Sequence, residues 1–396
     1  MLPFSLFYAT SISFFAIVVA FLPLYCKDIG FSPLQIALFA SAENLASLLG
    51  PLLVFKFAKV SINRNKLIIP CYVSAFLLFL PFLESTDFIV LTIFWFALLF
   101  FLRLGFVLVN SNAMEFSVLG KINYGRARVW GSIGFIAVTY IVGHLVDWYK
   151  EPSIIIVATL ILLGNVVTSW LLSRSLTIRN PHTTESTIDK SQAIKGSGRL
   201  SSVVLLAAII GLIYGSHAAL YTYFSLHLQR MSWNTRAISL AWIIGVICEV
   251  FVFIFFENIE RHIRLVTIFR LSIVCAALRW LILSATVSPE VILLSQILHA
   301  FSFGSFYVAS VKLAHYLYPD GFKERGQAVM MAAGPGIGVF LGRIFSGIGA
   351  HYIDATEPFF PLFFGASIAA IIALALSFAL TLNKVTNANA SQVNNG

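Results

Sequence analysis

The segment FALLFFLRLGFVLV (96–109) holds one charged side chain, Arg103, in an otherwise apolar run. Three other apolar runs carry a single charge in the same way: Glu43 in LQIALFASAENLASLLGPLLVF (34–55), Glu249 in AWIIGVICEVFVFIFF (241–256) and Arg279 in IVCAALRWLIL (273–283). An ion left in hydrocarbon costs from a few to more than about ten kcal/mol, so such residues persist where they face a wet cavity or each other. Charges of both signs in different membrane helices therefore indicate a transporter.

The composition is that of a membrane protein. Of the 396 residues, 59% are hydrophobic and 11% are charged, whereas a soluble domain carries about 25% charged residues. A helix needs about 20 residues to cross a bilayer, and the apolar runs are too long for barrel strands of about ten residues. Cutting the chain at its polar breaks predicts an all-α membrane protein with twelve transmembrane helices: 4–26, 34–58, 67–84, 88–112, 129–147, 153–173, 202–228, 236–256, 265–285, 290–316, 328–350 and 359–381.

The Lys and Arg residues predict the orientation, because they collect on the cytoplasmic side of membrane proteins. With the N-terminus inside, sixteen of them fall in cytoplasmic segments, and only Lys27, Lys150 and Arg230 fall in outer ones. Both termini are therefore expected in the cytoplasm, and topology explains the net charge of +9 without a nucleic acid. The N-terminal run has no basic region and no A-x-A site, so we expect a retained first helix in a prokaryotic inner membrane.

The longest polar stretch, SRSLTIRNPHTTESTIDKSQAIKGSGRLSS (173–202), has the composition of a flexible linker and divides the spans six and six. The predicted organisation is an N-terminal six-helix bundle (1–173), a cytoplasmic linker (174–201), a C-terminal six-helix bundle (202–381) and a cytoplasmic tail (382–396). Halves of this kind are typical of secondary transporters, whose binding sites lie at the bilayer midplane.

Two helices carry small residues at four-residue spacing: Ala42, Ala46 and Gly50 in the second, and Gly334, Gly338 and Gly342 in the eleventh. Such stripes let helix backbones approach closely in lipid. We expect the two stripes to face each other; the alternative is that each packs within its own half. Pro335, between two glycines, should also break or bend the eleventh helix. Ser32 and Gln35 form a predicted capping box at the start of the second helix.

Three segments carry a resemblance to a known family: YGRARVWGSIGFI (124–136), ENIERHIRLVTIFRLSIVCAALRWLIL (257–283), and SQILHAFSFGSFYVASVKLAHYLYP (295–319) followed by ERGQA (324–328). In this order and spacing the chain resembles the phenylpropionate permease family of the major facilitator superfamily, which is related to the lactose permease and nucleoside–proton symporters. The resemblance implies two six-helix bundles, alternating access, and proton-coupled uptake of a small organic solute.

The chain departs from that pattern in two places. The loop FAKVSINRNK (57–66) keeps basic residues but lacks the Asp and Gly of the superfamily's loop motif, which leaves the gating salt bridge without its carboxylate. The lactose permease also has a carboxylate one turn below its tenth-helix His, and Ser302 occupies that position here. If protons drive transport, Glu249 or Glu43 must carry them.

By helix and depth, Glu249, Arg279 and His299 resemble the Glu/Arg/His set of the lactose permease. A carboxylate beside such neighbours can change protonation state as its surroundings change. We therefore assign proton coupling to Glu249, Arg279 and Glu43; the alternative is a static Glu249–Arg279 pair.

Arg103 offers a fork of donors that matches a substrate carboxylate. A permanent pair with Glu43 is the alternative, and both hold if substrate displaces Glu43. The predicted substrate-binding residues are Arg103, Gln296, His299, His217 and Tyr221. We expect Glu43, Arg103, Glu249 and His299 to line one hydrated cavity.

An enzyme is disfavoured, because the eight histidines are dispersed and neither H-E-x-x-H nor G-x-S-x-G occurs. We therefore expect no catalytic residue, cofactor or metal site. The expected partners of the chain, taken as a monomer, are a small-molecule substrate, protons and the lipid bilayer. The resemblance favours a phenylpropionate-like acid as substrate, with a sugar or nucleoside as the alternative, and the fold leaves efflux open.

Overall fold

The computed structural model describes residues 1–57, 64–177, 197–317 and 323–380, and in these ranges every regular element is a helix. The α-helices are α1 (Leu2–Ala20), α2 (Leu22–Asp28), α3 (Pro33–Phe57), α4 (Ile68–Phe79), α5 (Phe88–Val118), α6 (Tyr124–Tyr149), α7 (Pro152–Thr177), α8 (Ser197–Arg230), α9 (Thr235–His262), α10 (Leu265–Leu283), α11 (Pro289–Ser295), α12 (Ile297–His299), α13 (Phe306–Leu317), α14 (Lys323–Met331), α15 (Val339–His351) and α16 (Phe360–Phe378). Most of the predicted linker and the whole predicted tail lie outside the described residues.

Eleven helical stretches within the described residues are long and apolar enough to cross a membrane. The 25-residue helix α3 covers the second predicted span and brings the number to twelve. The prediction of an all-α, twelve-helix membrane protein is confirmed. Its division at the linker stays a prediction, because residues 178–196 are not described.

Side-chain caps set several helix starts. Ser32 and Gln35 form the predicted capping box, with Ser32 N donating to Gln35 Oε1 over 2.9 Å and Gln35 N donating to Ser32 Oγ over 3.3 Å. Asn123 accepts from the Arg126 amide in the same manner. This cap begins α6 five residues before the predicted span, because helical structure continues past the apolar core into the polar segment.

Two helical stretches contain π-helical turns. Residues Ala332–Gly338 form one around Pro335, where the ring and the missing N–H prevent a regular α-helix, as the sequence predicted. The second, Ala300–Ser305, follows His299 and contains no proline. It therefore interrupts α-helical geometry directly beside a candidate site residue.

The helices form two compact units. The first comprises Met1–Thr183, Tyr221–Ile243 and Ala350–Pro358, and the second comprises Thr184–Leu220, Ile244–Gly349 and Phe359–Gly396. In the first unit α1 packs on α6 and α7, and α5 packs on α3 and α4. In the second unit α10 packs on α16 and on the π-helical turn Ala300–Ser305.

The small residues of the eleventh span pack within the second unit. A Cβ added at Gly338 would lie 2.5 Å from the carbonyl oxygen of Gly211 on α8, and one at Gly342 would lie 2.8 Å from Ala218 Cβ on the same helix. The prediction that this stripe faces the second helix is therefore wrong for the eleventh span, and the alternative is right. The missing side chains let two backbones meet, as small residues do in membrane helices.

In the first unit, the segment Tyr221–Ile243 is bonded to the N-terminal helices by polar contacts. Asp147, at the end of α6, accepts from the Thr235 amide at 2.9 Å and from Arg236 Nε at 2.6 Å. It therefore caps α9 from another helix and places a negative charge at the N-terminus of that helix. One turn earlier on α6, a Cβ added at Gly143 would overlap Ser239 Oγ and lie 2.8 Å from Ser239 Cβ.

We expect Gly143→Ala to lower the free energy of unfolding by about 1–3 kcal/mol, because the added methyl group must push α6 away from Ser239. The measurement is the thermal unfolding midpoint in detergent micelles. Gly365→Ala on α16 is the matched control, since no atom lies within 4 Å of its added Cβ and alanine is the better helix former. Equal midpoints for the two variants would contradict the close packing.

Candidate functional site

Glu43 and Arg103 form an ion pair inside the first unit. Arg103 Nη2 donates to Glu43 Oε1 over 2.5 Å, joining α5 to α3. The two side chains keep 26% and 13% of their exposure, so the pair is partly accessible rather than sealed. Each charge satisfies the other within an apolar stretch, which removes most of the cost of placing either one there.

An aromatic ring completes this pair. Arg103 Cζ lies 4.3 Å from the centroid of the Phe15 ring on α1, in cation–π geometry. Arg103 Nε is buried and has no hydrogen-bond partner within the described residues. Sequence reasoning missed Phe15, because nothing in the sequence separates it from the other 36 phenylalanines. The site therefore combines a guanidinium, a carboxylate and a ring face.

A second polar cluster lies in the second unit. His299 stands between Arg279, whose Nη1 lies 2.9 Å from His299 Nδ1, and Glu249, whose Oε2 lies 3.5 Å from His299 Nε2. Arg279 also donates from Nη2 to Gln296 Oε1 over 2.5 Å. Three helical stretches thus bring together four residues that the sequence predicted. The histidine lies between the two residues of the predicted Glu249–Arg279 pair.

Glycines make room for this cluster. A Cβ added at Gly245 would lie 3.3 Å from the His299 ring, and one at Gly304 would lie 3.3 Å from Glu249 Cγ. Phe303 stacks on the His299 ring with a centroid distance of 5.4 Å and an interplanar angle of 9°. The imidazole is therefore held between a glycine and an aromatic ring, which fixes its plane.

His217 on α8 belongs to the same unit and is 1% exposed. Its Nδ1 lies 2.8 Å from the Ile213 carbonyl, which only accepts, so the proton of a neutral ring sits on Nδ1. Its ring meets Trp280 edge-on at 4.9 Å, and Trp280 Nε1 donates to Ser216 Oγ over 3.0 Å. Trp280 and Ser216 were not predicted; the position of Trp280 next to Arg279 was the available signal.

The predicted residues therefore fall into two groups. Glu43, Arg103 and the half-buried Tyr221 belong to the first unit, and Glu249, Arg279, Gln296, His299 and His217 belong to the second. Asn110 on α5 accepts a hydrogen bond from Tyr8 OH over 2.6 Å in the first unit. A small apolar cavity in the second unit is lined by residues of α8, α13 and α14 and by none of the predicted site residues.

Two known proteins, a probable transporter and a permease, have sequences similar to this chain. A probable 3-phenylpropionic acid transporter of Escherichia coli K12 is 27% identical over 358 residues, which cover 87% of this chain and 90% of that protein. The maltose permease of Geobacillus stearothermophilus is 24% identical over 58% of this chain and 59% of its own length.

Solved structures with the same fold are transporters as well. The nucleoside transporter NupG superposes with a TM-score of 0.79 at 14% identity, covering 97% of this chain and 99% of NupG. A bacterial homologue of the human lysosomal transporter Spinster, in an inward-facing conformation, superposes with a TM-score of 0.70 at 11% identity, covering 96% and 95%.

The helix count, the charged clusters and the similarities in sequence and fold all agree with one family. Residues 2–361 match the sequence profile of the MFS_1-like family, which covers both clusters. The chain belongs to the MFS_1-like family of the major facilitator superfamily and is a multi-pass inner-membrane secondary transporter.

Proposed function

We propose that this transporter carries a small aromatic carboxylate of the 3-phenylpropionate type into the cell, together with protons. The observation that carries the proposal is the Glu43–Arg103–Phe15 arrangement, in which a guanidinium faces both a carboxylate and an aromatic ring. An aryl carboxylate carries a carboxylate and an aromatic ring, the same two groups that Glu43 and Phe15 present to Arg103. The similarity to the probable 3-phenylpropionic acid transporter supports this substrate class.

Arg103 binds the substrate carboxylate through donors of its planar fork. The contact with Glu43 uses Nη2, and a guanidinium has five N–H donors. A substrate carboxylate competes with Glu43 for these donors, because two acids on one guanidinium repel each other. Glu43 therefore neutralises Arg103 between transport events. When substrate binds, its carboxylate replaces that of Glu43 on the guanidinium.

Glu249 carries the proton. It is an 18%-exposed carboxylate beside His299, which in turn contacts Arg279. Its protonation state depends on the charges and hydrogen bonds that these two neighbours supply. The Glu249–His299–Arg279 chain supplies a site for one proton, while Glu43 and Arg103 supply the site for the anion.

Both termini lie in the cytoplasm, as the distribution of Lys and Arg favours. The protein works as a monomer, without a cofactor and without a catalytic step, and exchanges only the solute and protons across the membrane.

A sugar is the second candidate substrate, favoured by the similarity to the maltose permease. Thermal-shift measurements on the purified protein with 3-phenylpropionate, 3-phenylpropanol, maltose and uridine separate these classes. We expect stabilisation by 3-phenylpropionate and none by the alcohol, which lacks the charge. Stabilisation by maltose or uridine alone would exclude the aromatic acid.

Arg103→Lys should weaken 3-phenylpropionate binding about tenfold, or about 1.4 kcal/mol, because the ammonium lacks the planar fork. Glu43→Gln should strengthen it, because the competing charge is gone. Isothermal titration calorimetry in detergent measures both. Arg236→Lys, which alters the pair with Asp147, is the control and should bind normally. Unchanged affinity in both site variants would exclude Arg103 as the anion site.

Glu249→Gln should abolish accumulation of 3-phenylpropionate against its gradient while sparing exchange, because the neutral amide cannot release a proton. Uptake into liposomes with an imposed pH gradient measures the first, and counterflow measures the second. Glu260→Gln is the matched control on the same helix, since Glu260 pairs with Lys312 and has no proposed transport role. Accumulation that persists in Glu249→Gln would leave this residue a structural role only.

A further inference from the structure

The amide group of Gln296 is held in one orientation by its own helix. Its Nε2 donates to the Ile292 carbonyl over 3.0 Å and lies 3.0 Å from Ser295 Oγ, which itself donates to that carbonyl over 2.6 Å. The amide oxygen must therefore point the other way, toward Arg279, where it accepts over 2.5 Å. Gln296 is 1% exposed, so water does not compete for either end.

Arg279 in turn determines which nitrogen of His299 carries the proton. A guanidinium only donates, so the nitrogen that faces Arg279 Nη1, which is His299 Nδ1, must offer its lone pair. A neutral His299 therefore carries its proton on Nε2, the nitrogen that faces Glu249. A proton on Nδ1 and the Arg279 bond exclude each other, so His299 becomes a cation only when Arg279 moves away.

We propose that Gln296 is a positioning residue that, by anchoring Arg279, fixes His299 in its Nε2–H form and so sets the pH at which Glu249 takes up its proton. The inference rests on the proposed proton coupling, and it reassigns Gln296 from the substrate to the coupling machinery. In this arrangement Arg279 is shared between Gln296 and His299. The Nε2–H of His299 faces the carboxylate of Glu249, 3.5 Å away, while the guanidinium bonds to Gln296 and His299.

The other groups around His299 do not determine which of its two ring nitrogens carries the proton. Within the described residues, the titratable and charged groups that face it are Glu249 from α9, Arg279 from α10 and His217 from α8, whose ring centroid is 6.4 Å away. His217 Nδ1–H is committed to the Ile213 carbonyl. Tyr214 meets the same Phe303 ring that stacks on His299. Helix α16 contributes no titratable residue between Phe360 and Phe378.

Two substitutions of Gln296 should shift the pH midpoint of uptake in opposite directions. In Gln296→Glu the new carboxylate holds Arg279 as an ion pair and adds negative charge to the cluster that contains Glu249, so the pH midpoint of uptake moves about one unit upward. In Gln296→Leu the anchor is lost and Arg279 becomes available to the ionised Glu249. The midpoint then moves downward.

The experiment measures initial rates of 3-phenylpropionate uptake into liposomes from pH 5 to 8 (about the range over which histidine and shifted carboxyl groups titrate). Ser310→Ala is the control, because Ser310 lies further along the same span and its hydroxyl donates to the Phe306 carbonyl of its own helix. Its midpoint should match that of the native protein. Ser295→Ala is the milder variant if either Gln296 variant fails to fold, since it removes one of the two groups that orient the amide. We expect it to move the midpoint in the same direction as Gln296→Leu, by less.

A second measurement reads His299 directly and needs no transport. Nitrogen-15 NMR of histidine-labelled protein distinguishes the two neutral tautomers, and His299→Asn assigns the signal. We expect a pure Nε2–H form in the native protein and in Gln296→Glu, and a mixture with Nδ1–H or cationic forms in Gln296→Leu, where the anchor on Arg279 is lost. An unchanged tautomer in Gln296→Leu, or midpoints that move in one direction for both variants, overturns the proposal. If only the coupling role of Glu249 is wrong, Glu249→Gln accumulates substrate normally while the tautomer still changes.

Discussion

The requirement that every charge within the apolar spans be compensated governs this protein. Glu43 and Arg103 satisfy it as a direct pair, and Glu249 and Arg279 satisfy it through the imidazole of His299. A direct ion pair can be broken by a competing ion, which takes the place of one partner. In a pair separated by a histidine, the intervening ring can instead change which of its nitrogens carries a proton. The two units therefore solve one electrostatic problem with different chemistry, and the difference matches the anion and the proton that we assign to them.

The sequence predicted the parts of this structure that depend on local signals. Hydropathy and length located the twelve spans, and the Ser32–Gln35 capping box formed as expected. Arg103, Glu249 and Arg279 were identified as isolated charges in apolar runs. Burying an ion there is energetically costly, so such residues usually have a function. The π-helical turn around Pro335 was likewise foreseen as a break.

Other features depend on three-dimensional pairing and carry no local signal. The stripe of Gly338 and Gly342 was correctly recognised as a packing surface, yet spacing says nothing about which helix occupies it, and α8 does. Phe15 is chemically indistinguishable in sequence from its many counterparts until Arg103 is placed over its ring. The role of Gln296 depends on the orientation of its amide, which follows from Ile292 one turn earlier and from the adjacent Ser295.

The π-helical turn Ala300–Ser305 has a consequence for the tenth span as a whole. A π turn holds one more residue than an α turn, and each residue rotates an α-helix by about 100°. His299 on one side of the turn faces Arg279, and Lys312 on the other side contacts Glu260. The wide turn therefore sets the angle about the helix axis between the side chains of His299 and Lys312. A chain without the extra residue could keep only one of these two contacts, and different side chains would have to replace the other.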